Sequence, residues 1–114
     1  MTDFSGWSDK EINEAIFRSK GWFIVEQPFS HWEDSNGSTW YLEPIDYTHD
    51  WRLCGELLEE MKDEYHDLHL FWQPFAWMWV VQVSKVQLGD YKIFRSANPQ
   101  RAICEAWLAW KEQE

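Results

Sequence analysis

Apolar residues near the start of the chain recur with the period of a helix. Ser8 and Glu11 stand three residues apart and form a capping box, in which each side chain accepts a hydrogen bond from the other residue's backbone N–H. The apolar positions that follow are spaced three and four apart, and Gly21 can adopt the left-handed conformation that ends a helix. The pattern predicts a helix over roughly residues 9–20.

Two further segments show the same spacing. Near residues 50–65 one face is apolar and the other is acidic, with Thr48 or Asp50 as the cap. We expect this helix to lie on the surface with its acidic face outward. The last helix begins at Asn98, a favoured cap, with Pro99 at the first helical position, where a missing N–H costs little.

Runs of β-branched and aromatic residues predict strands between the helices. Residues 22–27 and 39–43 flank the turn signal DSNGS at 34–38, which indicates a hairpin with a long loop. Residues 78–88 and 91–96 flank a glycine–aspartate turn and predict a second hairpin. The first half of 78–88 is apolar on both faces, which is typical of a central strand.

Residues 66–76 are compatible with two structures, an aromatic loop or a short strand followed by a turn at Pro74. The predicted order is therefore α-β-β-α-β-β-α. This order favours an α+β fold, with an antiparallel sheet of about four strands and helices packed on it. There is no linker, repeat or low-complexity tract, so residues 1–114 are expected to form a single domain.

Composition supports a folded cytoplasmic protein. Hydrophobic residues make up 45% of the 114 residues, and ten are tryptophan. The first residues carry neither a basic start nor an apolar run, and no stretch is long enough to span a membrane, so we expect no signal peptide and no membrane partner. Cys54 and Cys104 fall on apolar helical stripes and are interpreted as reduced core residues.

The net charge of the chain indicates which class of partner it can bind. Twenty acidic and ten basic residues give a net charge of −10, and lysine and arginine form no cluster, so direct binding to nucleic acid is not expected. An acidic surface can instead meet a basic one on another protein, including a surface that binds nucleic acid. The residues predicted to do so are Glu56, Glu59, Glu60, Asp63, Glu64 and Asp67.

The aromatic segment at residues 71–79 (FWQPFAWMW) is a second candidate surface. Large exposed apolar patches usually mark interfaces. We therefore expect Trp72, Phe75 and Trp77 to contact a partner, and the same segment allows a homodimer.

Reactive chemistry is not apparent in the sequence. There is no nucleophile elbow, P-loop or dinucleotide-binding motif. His66 and His69 fall short of the three or four convergent ligands that a metal site requires. We expect a non-enzymatic protein with no catalytic residue, no cofactor and no metal.

A small-ligand site remains open as an alternative. A guanidinium beside an aromatic ring can hold a nucleotide through its phosphate and its base. The candidates are Arg95 and Arg101 with Trp79 and Tyr91. In the competing interpretation these arginines pair with the surplus carboxylates.

Three segments carry a resemblance to a known family. They are INEA at 12–15 leading to Gly21 and Trp22, DYTHDW at 46–51 followed by LLEEM at 57–61, and NPQRAICEA at 98–106. In order and spacing the chain resembles the phage ABA-sandwich domain family. The resemblance implies a three-layer helix–sheet–helix sandwich and a phage or prophage context, with no catalytic residue carried over. The chain departs from the family in residues 71–79 and in its acidity.

These inferences combine into one expected function. The chain is expected to be a phage- or prophage-type accessory protein that binds and inhibits a host protein or complex in the host cytoplasm. It would act in counter-defence or regulation, with an acidic surface that mimics nucleic acid. The alternatives are a protein that sequesters a nucleotide-like signal and a structural or assembly protein of the phage.

Overall fold

The computed structural model describes residues 3–25, 31–33, 40–41, 46–65, 67–85 and 91–112. The elements are α1 (Asp9–Ser19), β1 (Phe23–Val25), β2 (His31–Glu33), β3 (Trp40–Tyr41), α2 (Trp51–Lys62), β4 (Asp67–Gln73), β5 (Met78–Ser84), β6 (Lys92–Ser96) and α3 (Pro99–Glu112). Strands β1, β2 and β3 form one antiparallel sheet in that order, and β4, β5 and β6 form another. The predicted α+β class is confirmed, as are the three helices and the central position of β5.

The number and order of strands differ from the prediction, because each half of the described chain contains a third strand. Strand β2 lies in the polar segment that was expected to be a loop, and it pairs with both β1 and β3. Strand β4 resolves the ambiguous segment, since it pairs with β5 along its whole length. Both strands are held by hydrogen bonds to the strands next to them along the chain, which the composition of each segment alone does not reveal. The predicted turns at 34–38 and 89–90 lie outside the described residues.

Local signals account for both ends of α1. The Ser8 hydroxyl accepts from the Glu11 N–H at 3.1 Å, and the Glu11 carboxylate accepts from the Ser8 N–H at 3.0 Å. At the other end Gly21 has φ 85°, and the Trp22 N–H donates to the Phe17 carbonyl at 2.9 Å. The rings of Phe17 and Trp22 stack with centroids 5.2 Å apart. The helix therefore ends in a Schellman motif with its accompanying hydrophobic contact.

Helix α3 is the central element of the fold. Its residues 102–110 are all buried, and it packs against α1 and α2 as well as against β5 and β6. Trp107 is fully buried, and its indole N–H donates to Glu60 of α2 at 3.0 Å. A helix that is enclosed on all sides must be apolar on all sides, which explains the Ala, Ile, Leu and Trp residues around its circumference.

The second sheet (β4–β6) is covered by helix on one face in the described part of the chain. Val81 and Val83 of β5 join the core beneath α3. On the opposite face Phe71, Met78 and Ile93 are 39%, 36% and 42% exposed. The layers therefore run sheet, α3, then α1 and α2, which differs from the helix–sheet–helix sandwich that the resemblance implied.

A hydrogen-bonded segment ahead of α2 joins the three helices. Asp46 accepts from the Asn13 side chain of α1 at 2.9 Å and from the Thr48 hydroxyl at 2.6 Å. The Asn98 amide, at the start of α3, donates to the Thr48 carbonyl at 2.6 Å. Asp50 caps α2. Burial raises the pKa of Asp46, but hydrogen bonds from Thr48, Asn13 and the His49 side chain outweigh it and hold the pKa below its ordinary value.

We predict that replacing Asn98 destabilises the protein through the loss of three hydrogen bonds. Its side-chain oxygen accepts from the N–H groups of Gln100 and Arg101, and its amide group donates to Thr48. Asn98→Ala removes all of these bonds and should lower the free energy of unfolding by about 1–3 kcal/mol. Asn98→Asp keeps the cap oxygen and should lose less. Urea denaturation of both variants measures the difference, and an unchanged midpoint for Asn98→Ala would contradict the prediction.

Candidate binding surface

The turn between β4 and β5 holds a large residue in a strained conformation. Gln73 and Met78 form the last strand pair, and residues 74–77 make the turn. The N–H of Trp77 donates to the Pro74 carbonyl at 3.3 Å, and Trp77 has φ 53°. This left-handed region favours glycine and asparagine, and a bulky side chain there costs about 1 kcal/mol or more. Backbone geometry therefore does not explain a tryptophan at this position.

Side chains at this turn are exposed to solvent. Phe75 is 98% exposed, Trp77 is 77% exposed and Trp72 is 40% exposed. The Trp72 ring lies edge-on to Trp77 at 6.2 Å and to Trp79 at 5.6 Å. We call Trp72, Phe75 and Trp77 the aromatic tip. The structure thus brings together the three aromatic residues that the sequence predicted to contact a partner.

The predicted acidic residues are spread over two elements. Glu56, Glu59 and Glu60 are exposed on α2, Asp63 and Glu64 are exposed just after it, and Asp67 is half-buried on β4. We call the five residues on and after α2 the acidic face.

Several members of the predicted acidic set already have partners within the chain. Glu60 accepts from Trp107 and lies 3.5 Å from the Lys20 ammonium. Glu59 lies 2.7 Å from the Lys62 ammonium. Asp67 accepts from the Tyr91 hydroxyl at 3.2 Å, and the negative charge of Asp67, together with this bond, raises the pKa of Tyr91. The charge available to a partner is therefore concentrated at Glu56, Asp63 and Glu64.

Arg101 has a structural role rather than the predicted role in ligand binding. Its guanidinium donates to Asp9 at 2.8 Å, to the Phe4 carbonyl at 2.9 Å and to the Trp7 carbonyl. These bonds fasten the segment before α1 to α3. A guanidinium occupied in this way has few N–H groups left for a phosphate.

The other three residues of the predicted ligand set do not converge with one another. Arg95 pairs in register with Val80, whereas Trp79 pairs with Ser96, so Arg95 and Trp79 lie on opposite faces of the sheet. The Arg95 side chain donates to Gln73 at 3.3 Å, and Tyr91 bonds Asp67. The predicted nucleotide pocket is therefore not formed by these four residues.

Glu105 is a buried carboxylate that sequence reasoning missed. It lies on α3, is 4% exposed, and its Oε2 accepts no hydrogen bond. The Arg101 Nε is 3.7 Å from that oxygen, which is beyond hydrogen-bond range. A glutamate among Ile, Cys and Ala on a helix, four residues after an arginine, was the available signal.

Burial raises the pKa of Glu105 to about 7. The nearby Arg101 lowers it, whereas the negative charges of Asp3 and Asp9 raise it further. A carboxyl with such a pKa exchanges its proton near neutral pH.

The two thiols are inert core groups. Cys54 and Cys104 are both free and buried, as predicted. The Cys54 thiol donates to the Tyr47 carbonyl at 2.9 Å. Hydrogen bonding with Cys54 and burial raise the pKa of Cys104, which keeps it in the unreactive thiol form.

No group of three or more His, Cys, Asp or Glu side chains in the described ranges is placed to hold a metal ion, and His66 lies outside them. No helix in the described ranges is long and apolar enough to cross a bilayer.

Comparison with protein-family models, with curated proteins and with solved structures finds no match to this chain. The aromatic tip, the acidic face and Glu105 must therefore be interpreted from their own geometry.

We predict that Glu105 makes stability depend on pH. A folded-state pKa of about 7, against an ordinary value of 4.5, means that ionising Glu105 opposes folding. The contribution of Glu105 to the unfolding free energy should therefore be highest below pH 4.5. It should fall by roughly 3 kcal/mol as the pH rises through 7. Glu105→Gln should remove this fall, whereas Glu56→Gln on the exposed face should keep it. Chemical denaturation from pH 4 to pH 8 measures the unfolding free energy of each variant. If its dependence on pH is parallel for wild type and Glu105→Gln, the prediction is refuted.

Proposed function

We propose that this chain is a non-enzymatic accessory protein that acts by docking its aromatic tip onto another protein. The observation that supports this most directly is the exposure of Phe75 and Trp77, 98% and 77%, on a turn where Trp77 has φ 53°. Exposed rings contribute little to folding, because their apolar area stays in water. Glycine would fit the backbone of position 77 at lower cost. Residues that folding does not require are candidates for binding.

The geometry of the aromatic tip suits insertion into a pocket on a partner protein, where the rings would act as an anchor. Aromatic side chains supply most binding energy at interfaces because they bury a large area with few rotamers. The contacts of Trp72 with Trp77 and Trp79 hold the base of the tip in place. Such preorganisation lowers the entropy lost on binding. The partner should therefore present an apolar pocket that receives Phe75 and Trp77.

Charge indicates what surrounds that pocket. The chain carries −10 overall, and the acidic face adds an exposed negative surface along α2. A partner with a basic surface would be attracted over long range, and a nucleic-acid-binding surface is the common example. The acidic face then acts as a mimic of nucleic acid.

The biological setting rests on the sequence resemblance alone. A phage or prophage accessory protein would meet a host protein or complex in the host cytoplasm and inhibit it. The exposed tip and the acidic face fit such an inhibitor. A second copy of this chain is the other candidate occupant of the tip, and sedimentation at micromolar concentration distinguishes it, because a dimer held by the tip would dissociate when Phe75 is replaced.

We predict that tip variants separate binding from folding. Phe75→Ser and Trp77→Gly should each weaken binding to the partner, purified by affinity capture from host cells, by about tenfold or more. Trp77→Gly should unfold at the same temperature as wild type or higher, because glycine relieves the left-handed backbone. Trp51→Ser is the matched control, since Trp51 is 53% exposed on α2 away from the tip. Equal affinity for Phe75→Ser and wild type would refute docking through the tip.

We predict that the acidic face contributes through long-range charge. Affinity should fall steeply as salt rises from about 50 to 500 mM, because mobile ions screen exposed charges. Glu56→Lys should weaken binding mainly through a slower association rate. Glu14→Lys on α1 makes the same charge change elsewhere and is the matched control. Surface plasmon resonance measures both rates. An affinity that does not change with salt would remove the mimicry of nucleic acid and leave tip docking intact.

A further inference from the structure

Strand β4 is an open edge of the second sheet. In the described part of the chain it pairs with β5 along all seven of its residues and with no strand on its other side. Alternate residues of an antiparallel strand direct their N–H and C=O groups to one neighbour, and the residues between them direct theirs the other way. About half of the backbone groups of β4 therefore face away from the sheet and can accept another strand.

This edge lacks the protection that sheet edges commonly carry. Short strands, lysine, proline and bulges all hinder pairing between edges. Strand β4 contains neither lysine nor proline, and its register with β5 is unbroken from Asp67 to Gln73. The opposite edge, β6, has only five residues, carries Lys92 and Arg95, and lines a cavity together with residues 3–5 of the segment before α1. The edge open to pairing is therefore β4.

Side chains of β4 are exposed on both faces of the sheet. Leu70, Phe71 and Trp72 are 36%, 39% and 40% exposed. Consecutive residues of a strand point to opposite faces, so a single uncovered face does not account for all three. They share the open side of the strand, where a further strand would cover them. An exposed, long, apolar edge strand of this kind is a typical site for pairing with another chain.

We propose that β4 pairs antiparallel with β4 of a second copy of this chain, about a two-fold axis at Leu70, so that the two three-stranded sheets become one sheet of six strands. In this register Leu70 faces Leu70 of the second copy. The other facing pairs are Leu68 with Trp72, His69 with Phe71, and Asp67 with Gln73. Facing residues are separated by an even number along the chain, so residues that direct backbone groups to the open edge meet residues that do the same. The pairing is independent of the proposed function.

The residues of β4 favour self-pairing in this direction. Apolar or aromatic side chains meet across the central positions, and such cross-strand pairs stabilise a sheet. The one acidic residue of the strand, Asp67, faces a glutamine and not its own copy. The Cα atoms of the two Asp67 residues are about 20 Å apart, because a strand rises about 3.3 Å per residue. That separation exceeds the Debye length of about 10 Å at moderate salt, whereas a parallel pair would set the two carboxylates side by side.

Sedimentation velocity over protein concentrations of about 1 to 200 µM tests the pairing. One strand pair buries less than the roughly 1,600 Å² of a standard interface, so we expect a dissociation constant in the micromolar range. Raising the salt from about 50 to 500 mM should tighten the dimer, because screening reduces the repulsion between two chains that each carry −10. A chain that stays monomeric over the whole range at both salt concentrations overturns the proposal.

Substitution at the two-fold axis tests the register. Leu70→Lys sets two ammonium groups against each other and should weaken the dimer about tenfold, because like charges directly opposite destabilise a strand pair. Ile93→Lys is the matched control, since Ile93 is 42% exposed on the other edge strand. It should dimerise as wild type does, and equal weakening by both substitutions would overturn the pairing at β4.

A smaller substitution tests the same contact without adding charge. Residues that face each other in a strand pair lie within the Cα separation that a disulfide spans. Leu70→Cys should therefore cross-link two copies under mild oxidation, whereas Ile93→Cys should not, and Cys54 and Cys104 are buried in both variants. Failure of Leu70→Cys to cross-link would refute the two-fold axis at this residue.

Other assemblies give different results. Phe75→Ser should leave the edge dimer intact, so a dimer that is lost with Phe75→Ser but kept with Leu70→Lys is held by the aromatic tip, and the proposal is wrong. If the chain is monomeric and Leu70→Lys instead abolishes binding of the captured partner, the edge receives a strand of that partner and self-pairing is wrong. Leu70→Lys should bind the captured partner normally, so failure here and failure of tip docking can be told apart.

Discussion

The enclosure of α3 is the constraint on which the rest of the fold depends. Its residues 102–110 are buried between the second sheet and the other two helices. Each large apolar side chain placed there contributes about 1.5–3 kcal/mol, but only when the surrounding elements are present to exclude water. A helix with no exposed face cannot be stable beside one partner alone. The second sheet and the helix pair must therefore assemble around it together.

Enclosure also sets the chemistry of the interior. Polar groups that enter the core need partners, and the segment ahead of α2 supplies them through Asp46, which accepts from Asn13, and Thr48, whose carbonyl accepts from Asn98. Trp107 reaches Glu60 for the same reason. Two buried groups of the described residues have no hydrogen-bond partner, Glu105 Oε2 and the indole N–H of Trp110, and burial raises the pKa of the Glu105 carboxyl.

At the surface, by contrast, it is large apolar side chains that lack a suitable environment. Tryptophans of α3 fill the core, whereas Trp77 and Phe75 stand in water on a turn whose backbone suits glycine. The outer face of the second sheet leaves further apolar area exposed at Phe71 and Ile93. Together with the acidic face of α2, these exposed apolar side chains make the surface the part of the chain suited to binding. That distribution is what supports the proposal that the chain docks onto a partner.

Local signals in the sequence determined the elements whose causes are local. The Ser8–Glu11 capping box, the Gly21 helix end and the Asn98 cap each depend on atoms within a few residues, so spacing alone predicted them. The two apolar faces of β5 predicted its central position. The grouping of Trp72, Phe75 and Trp77 followed from their closeness along the chain.

Tertiary structure decided what a segment cannot determine by itself. Strands β2 and β4 form because the strands next to them along the chain offer hydrogen bonds, which the residues of β2 and β4 alone do not reveal. Arg101 and Arg95 have the same side chain, but Arg101 donates to carbonyls 94 and 97 residues away in sequence, whereas Arg95 is exposed and donates to Gln73. The burial of Glu105 likewise comes from elements at both ends of the chain. Caps and turns are short-range properties of the sequence, whereas burial, pairing and charge environment exist only after the chain has folded.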